Sequence, residues 1–241
     1  MKEYLSIPGA DAHSAPKGMS CIAFKKYDGS NLRFEWDRKK GWHMFGTRRR
    51  LFDRSDPEYG CAIDIFLNKY ASGIEAVIKK EKHFRGVREV ICFGEFFGPY
   101  SFGGQHDPAH PALDPRWTAG DHLANPGGPG SNDPKDVVVF DVNVHKKGLM
   151  TPREFVNTFS HLPVAEVVYE GNMNPSFIKD VREGTRTGPG WILTAPLVEG
   201  VVCKGLTGKP PHGIWMTKIK TYAYLAELKK RFDKDWSQYW E

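Results

Sequence analysis

Phe24-Lys25-Lys26-Tyr27-Asp28-Gly29-Ser30-Asn31 puts a lysine two residues ahead of an Asp-Gly turn, at the end of the apolar run Cys21-Ile22-Ala23-Phe24. Aspartate and glycine favour turns because one bonds to nearby backbone and the other accepts positive φ. The apolar run reads as a buried strand that presents its last side chains where it emerges. Alternation sends Lys25 and Lys26 to opposite faces, and only Lys26 stands in the Lys-x-Asp-Gly register. One such tetrapeptide alone describes any surface turn with a solvated lysine. Four further signatures follow in order: Phe93-Gly94-Glu95-Phe96-Phe97-Gly98, Val139-Phe140-Asp141-Val142, Glu199-Gly200-Val201-Val202-Cys203-Lys204 and Lys218-Ile219-Lys220. Each is commonplace singly; the ordered set is not.

Working outward, residues 20–36 and 42–47 read as strands around the charged turn Asp37-Arg38-Lys39-Lys40-Gly41. The spacing of Ile63, Phe66, Leu67, Tyr70, Ile74, Val77 and Ile78 predicts a helix over 62–82. Val87–Phe97 and Asp136–Val144 are continuous apolar runs, as buried strands show. Pro152–Ser160 begins behind a Thr-Pro start signal and reads as a short helix, and Pro175–Arg182 as a second. Leu225, Leu228, Phe232, Trp236 and Tyr239 recur at helical spacing and predict a C-terminal helix packed on the core. The expected division is a domain over 1–220 with a helical appendage at 221–241.

Residues 103–134 hold six glycines and six prolines with little periodicity. A run this long without structure is an insertion with either a functional role or none. His106 and His110 lie in it, but the proline between them breaks the helix that an i, i+4 ligand pair needs. Lysine and arginine number 34 against 29 acidic residues, and the net charge of +5 permits a polyanionic partner without demanding one. Cys21, Cys61, Cys92 and Cys203 show no paired spacing and read as reduced thiols, most of them buried. No apolar stretch approaches the roughly 20 residues that span a bilayer, so the expected setting is the cytoplasm, of a cell or of a phage- or virus-infected one.

From about Ala23 to Lys220 the ordered signatures resemble the covalent nucleotidyltransferase superfamily of ATP-dependent DNA ligases, RNA ligases and capping enzymes. Within it the chain looks most like the RNA ligase 2 family. That family continues the first motif as Gly-Thr-Asn, here Gly29-Ser30-Asn31, and follows it with a helix similar to Ile65–Val77. The resemblance implies an α+β fold: a ligase adenylation core of antiparallel sheets with flanking helices, related in style to ATP-grasp enzymes and without a C-terminal oligonucleotide-binding barrel. It implies ATP as substrate, AMP held covalently on lysine, Mg²⁺ or Mn²⁺ as metal, and 5′-phosphate and 3′-hydroxyl ends of RNA to be joined, DNA or mixed ends being the alternative.

A lysine amine can attack the α-phosphate of ATP and hold AMP as a phosphoramidate. Lys26 is the expected nucleophile, with Lys25 the rival among the nucleotide-binding residues. Desolvation and neighbouring cations both lower a lysine pKa, and Lys218 and Lys220 across the pocket would supply the cations. By resemblance, Arg48 contacts ribose or phosphate, with Arg49 close in register, and Glu95 bonds the ribose hydroxyls. Glu199 holds the divalent ion, Val202 lies against adenine and Lys204 near the phosphates. Lys218 and Lys220 reach the transferring phosphoryl group, and Asn31 senses phosphates or ends. Asp141 is either catalytic or a structural carboxylate.

Two departures stand out. Asp28 occupies a position where the nearest RNA ligases carry histidine and DNA ligases aspartate. Val137-Val138-Val139 offers no aromatic upstream of Phe-Asp, which leaves adenine to aliphatic side chains or to another aromatic such as Phe97. With 21 residues after Lys220, the chain reads as a minimal core whose missing substrate-binding domain a protein partner would supply. Arg116, Trp117 and His122 of the 103–134 loop offer part of that grip. A minimal DNA ligase and a non-catalytic nucleic-acid-binding subunit are the competing functions.

Overall fold

A computed structural model describes residues 4–10, 18–97, 135–192, 197, 199–206 and 213–232. The Asp-Gly pair divides the expected 20–36 strand into two strands that belong to different sheets. β1 (Ser20–Lys26) ends at the turn, and β2 (Gly29–Asp37) leaves it in another direction. The six-stranded sheet also contains β3 (Gly41–Thr47), β4 (Leu51–Phe52), β5 (Glu89–Phe97), β6 (Asp136–Val144) and β7 (Gly148–Leu149), in the order β4-β3-β2-β5-β6-β7. The four-stranded sheet adds β8 (Val167–Asn172), β9 (Gly200–Gly205) and β10 (Met216–Lys220), in the order β10-β9-β1-β8. Strand pairing is antiparallel in both sheets. Among the described residues neither sheet closes into a barrel, and the fold is the expected α+β core of antiparallel sheets with helices. β8 was not visible in the sequence, because Val167-Val168-Tyr169-Glu170-Gly171-Asn172 is short and half polar.

The expected 62–82 helix is α1 (Gly60–Phe66) and α2 (Ser72–Lys80), joined by one π-helical turn at Leu67–Ala71. Tyr70 lies in that turn, and its hydroxyl donates to the carbonyls of Pro163 at 2.6 Å and Val137 at 3.1 Å. The wider turn keeps Phe66, Tyr70 and Ile74 all inward, where they cover one face of the large sheet. Phe66 stacks on Phe34 of β2 with ring centroids 3.9 Å apart. α3 (Pro152–Phe159) starts where Thr-Pro announces it, with a capping box between Thr151 and Glu154. α4 (Pro175–Glu183) is capped by Asn174 and stopped by Gly184 at φ 70°. α5 (Tyr222–Phe232) follows β10 directly. Among its described side chains the expected Leu228 is buried and Leu225 half-buried, and Tyr224 joins them on the inward face.

Two apolar cores result. One lies between the large sheet and α1–α3 and takes Ile22 and Phe24 from β1. The other packs α4 against the opposite face of the small sheet, through Cys21, Ala23, Val201, Cys203 and Ile219. Alternation along β1 therefore has an apolar reason in both directions, which pins the register of every strand beside it. Cys21, Cys92 and Cys203 are buried and all four cysteines are free thiols, as the sequence predicts.

β9 begins with a glycine for a steric reason. Gly200 sits at φ 143°, opposite both Lys26 of β1 and Lys220 of β10, and a Cβ there would meet the carbonyl oxygen of Ile219 at 2.0 Å. Gly200→Ala should destabilise the protein by about 1–3 kcal/mol, the range for forcing atoms into a packed site. Denaturant melts of the variant check this; an unchanged midpoint would mean that the strands part there without strain.

Candidate active site

One face of the small sheet carries the site. On β1 alternation turns Ile22, Phe24 and Lys26 to one side, and the antiparallel register sets Lys204, Val202 and Gly200 of β9 beside them. β10 adds Met216, Lys218 and Lys220 opposite the same three β9 residues. Lys26 and Lys220 thus flank Gly200, and Glu199, one residue earlier, lies between their ammonium groups. The Lys26 Nζ is 2.9 Å from one carboxylate oxygen of Glu199, and the Lys220 Nζ is 3.3 Å from the other. Glu199 is 2% exposed, so its charge is answered by these two lysines rather than by solvent.

The large sheet faces this array with Asn31 of β2 and Glu95 of β5, which are register partners. Between the sheets lies a cleft of about 650 Å³, within the range that holds a nucleotide-sized ligand. Arg48, Arg49 and Arg50 sit at its rim, just after β3. Arg50 is engaged elsewhere: it pairs with Asp56 and, at 3.6 Å, with Glu58, and its guanidinium lies 5.4 Å from the Tyr59 ring centre. The charge of Arg48 acts on Glu95, and Arg49 lines the same rim. Lys25 also reaches the cleft rim, 3.8 Å from Glu166 and above the Tyr27 ring.

Lys204 forms the cleft floor and is 1% exposed. Its ammonium lies 2.8 Å from Asp141, donates to the Phe140 carbonyl at 2.8 Å, and rests 4.6 Å above the Phe24 ring. Asp141 is fully buried and also accepts a bond from the Tyr4 hydroxyl. Tyr4 belongs to a segment in which the sequence shows no signal. Residues 4–10 run beside β10, with the Lys218 N–H donating to Pro8 and the Ala10 N–H donating to Lys218, both at 3.0 Å. Sequence reasoning missed this strap, and it missed Tyr224, whose hydroxyl bonds Asp28 at 3.1 Å and whose ring lies 5.1 Å from the Lys220 ammonium. Only proximity in the fold reveals either.

The aromatic wall is also not where the sequence search looked. Phe97 is buried against Tyr27 and lies outside the cleft lining, whereas Phe140, inside the Phe-Asp motif, faces the cleft with Tyr4 packed edge-on at 5.0 Å. His106, His110, Arg116, Trp117 and His122 fall outside the described residues. Lys25, Lys26, Asn31, Arg48, Glu95, Glu199, Val202, Lys204, Lys218 and Lys220 line this one cleft, while Asp141 is buried behind Lys204 and outside the lining.

The protonation balance differs from the expectation for Lys26. Burial pulls its pKa down, but Glu199, Glu95 and Asp28 outweigh burial and hold it above the ordinary lysine value. Without nucleotide, Lys26 is an ammonium ion. Lys220 goes the other way, with burial and then the neighbouring Lys26 charge prevailing over Glu199. Burial also lowers Lys204 despite Asp141. Glu95 is pushed up to about 7, chiefly by burial and then by Glu199 and Asp28, with Lys26 opposing. No group of three His, Cys, Asp or Glu residues among those described forms a metal cage. Glu199 offers a single carboxylate, which suits an ion that takes its other ligands from phosphate and water.

At the level of sequence the chain matches no family model and no curated protein. In structure it is similar to an RNA ligase of Naegleria gruberi. A mutant of that ligase with AMP and Mn superposes with TM-score 0.61 at 16% identity, over 95% of this chain and 59% of that one. A mutant with ATP and Mn gives 0.57 at 17% identity over 94% and 58%, and the ligase with PPi gives 0.55 at 19% over 89% and 53%. The chain therefore spans less than three-fifths of the ligase it resembles, and the likeness establishes the shared fold.

Glu95 makes stability depend on pH. Its carboxyl binds a proton more tightly folded, with a pKa of about 7, than at the ordinary 4.5. Between these values the folded state holds the proton that the unfolded chain has released, so stability falls as pH rises across that window. Glu95→Gln should flatten this fall, which amounts to at most about 3 kcal/mol. Melting at pH 5 and pH 8 measures it, and an equal slope in both proteins would remove Glu95 as the cause.

Proposed function

We propose that the chain is an ATP-dependent polynucleotide ligase acting on RNA ends, and that Lys26 is its nucleophile. The carrying observation is Glu199 held between Lys26 and Lys220 inside a nucleotide-sized cleft. The fold shared with an RNA ligase crystallised with ATP, AMP and PPi supports the same reading. In the first step the Lys26 Nζ forms a bond to the α-phosphorus of ATP while the bond to the bridging oxygen breaks, and pyrophosphate leaves with its electron pair. AMP then passes to a 5′-phosphate, and a 3′-hydroxyl displaces it.

The chain's own groups divide this work. Glu95 and Arg48 stand at the ribose side of the cleft, and Phe140 with Val202 forms its apolar walls. Lys218 and Lys220 place positive charge where the phosphates would lie, with charge stabilisation ready before the reaction. A divalent ion bound at Glu199 and the phosphates would neutralise phosphate charge and make the α-phosphorus a better electrophile. Once Glu199 is withdrawn from Lys26, burial becomes the dominant influence on that amine and favours the neutral, nucleophilic form.

Incubation with labelled ATP and Mn²⁺ or Mg²⁺ should tag the protein. Lys26→Ala should abolish the tag and Lys25→Ala should keep it; a tag that survives in Lys26→Ala refutes the assignment. Glu199→Gln and Lys220→Ala should each slow tagging by about a hundredfold or more while melting close to wild type. Inactivity that merely follows unfolding would make those residues structural.

A further inference from the structure

Several of the basic residues that the cleft does not use gather at the opposite end of the large sheet. Three connections meet there: the β2–β3 turn at residues 38–40, the segment 81–88 between α2 and β5, and the β6–β7 turn at residues 145–147. They are braced to one another by backbone contacts. The Arg38 N–H donates to the Arg88 carbonyl at 2.9 Å and its Nε to Val87 at 3.1 Å. The His145 N–H donates to Glu89 at 3.1 Å, and the Lys147 ammonium bonds the His83 carbonyl. Lys146 holds φ 65°, the sole positive φ outside glycine among the described residues. That conformation raises its side chain at the tip of its turn.

Arg38, Lys39, Lys40, Lys82, Arg85 and Lys146 are all exposed, and none has a carboxylate partner among the described residues. The carboxylates nearby do not cancel them. Asp37 and Glu89 are engaged by Arg88, at 3.5 and 3.8 Å, Glu89 also by His145, and Glu154 is faced by His83 and Lys147, which leaves Glu81. The chain's whole excess is +5, and a comparable excess stands on this one end. Gathering like charges on braced loops opposes folding, and a polyanion relieves it.

We infer that this end of the sheet is a second nucleic-acid surface, one that grips the phosphate backbone of a strand without reading its bases. The inference rests on the ligase reading for its choice of partner. Among the described residues no exposed aromatic stacking platform accompanies these cations, so contact is ionic and sequence-independent. The braces fix the cations before binding, which limits the ordering entropy that association must overcome. Six strand steps separate Glu95 in the cleft from Glu89 at the patch, about 20 Å at 3.3 Å per residue. At roughly 3.4 Å per stacked nucleotide a strand seated in the cleft reaches the patch after about six residues. The surface therefore serves the body of the substrate and leaves the reacting end to the cleft.

The test is binding of single-stranded RNA of about 20 nucleotides at 50 and 200 mM salt, the range in which phosphate contacts dominate. The triple variant Lys39→Glu, Lys40→Glu, Lys146→Glu should bind about tenfold or more weakly at 50 mM. Its salt slope should drop by about 2, at roughly 0.7 per lost contact on single strands. Its self-labelling with AMP should equal wild type, and its melting temperature should be equal or higher. The single variant Lys82→Glu should show a smaller loss of the same kind. Equal affinity and slope in the triple variant, or no RNA binding by wild type at 50 mM, overturns the inference. Patch-dependent RNA binding without any self-labelling would instead overturn the ligase reading and leave this surface standing.

Discussion

A single buried carboxylate between two ammonium groups is the constraint on which the site depends. Glu199 is removed from solvent, so its charge must be met inside the protein, and Lys26 and Lys220 meet it from the two strands that flank β9. With either lysine removed Glu199 keeps the other, but with both removed it would be an uncompensated buried charge, which is strongly destabilising. The three strands must therefore hold one register. Gly200 makes that register possible by letting the Ile219 carbonyl approach where a side chain would stand.

The same ion cluster sets the resting chemistry. Glu199, Glu95 and Asp28 around Lys26 hold its pKa above the ordinary lysine value despite burial. On the proposed reading, activation belongs to the liganded state. A second buried pair, Lys204 with Asp141, repeats the pattern on the cleft floor, and Tyr4 caps it from the N-terminal strap. Since the strap also bonds the backbone of Lys218, the cleft floor and the lysine strand are tied to one segment of chain.

Along the β2–β5 pair, the large sheet separates two kinds of positive charge. At one end Arg48 acts on Glu95, and at the other Arg38, Lys39, Lys40, Lys82, Arg85 and Lys146 are exposed on the connecting segments with no ion pair to a carboxylate among the described residues. The first kind faces a buried carboxylate across the cleft, and the second is left to solvent. That contrast is invisible in a net charge of +5.

Much of this was legible in the residues. The apolar runs at 87–97 and 136–144 located β5 and β6, the Thr-Pro signal located α3, and the ordered motifs named ten residues that line one cleft, because strand alternation and motif spacing are local properties. What the tertiary structure decided was long-range. The expected 20–36 strand divides at Asp28 because its halves bury side chains in different sheets, and the π turn appears because Tyr70 finds the carbonyls of Val137 and Pro163. Lys26 is held protonated, against the expectation from its neighbours in sequence, because the nearest charges in space are Glu199, Glu95 and Asp28. Tyr4 and Tyr224 carry no motif at all; they reach the site only when the N-terminal strap and α5 pack against β10 and the turn at Asp28. Sequence determines which residues share a strand face, since that follows from a two-residue period. Which charges face one another across the cleft depends on contacts between residues distant in sequence, 173 positions apart for Lys26 and Glu199, and only folding brings those together.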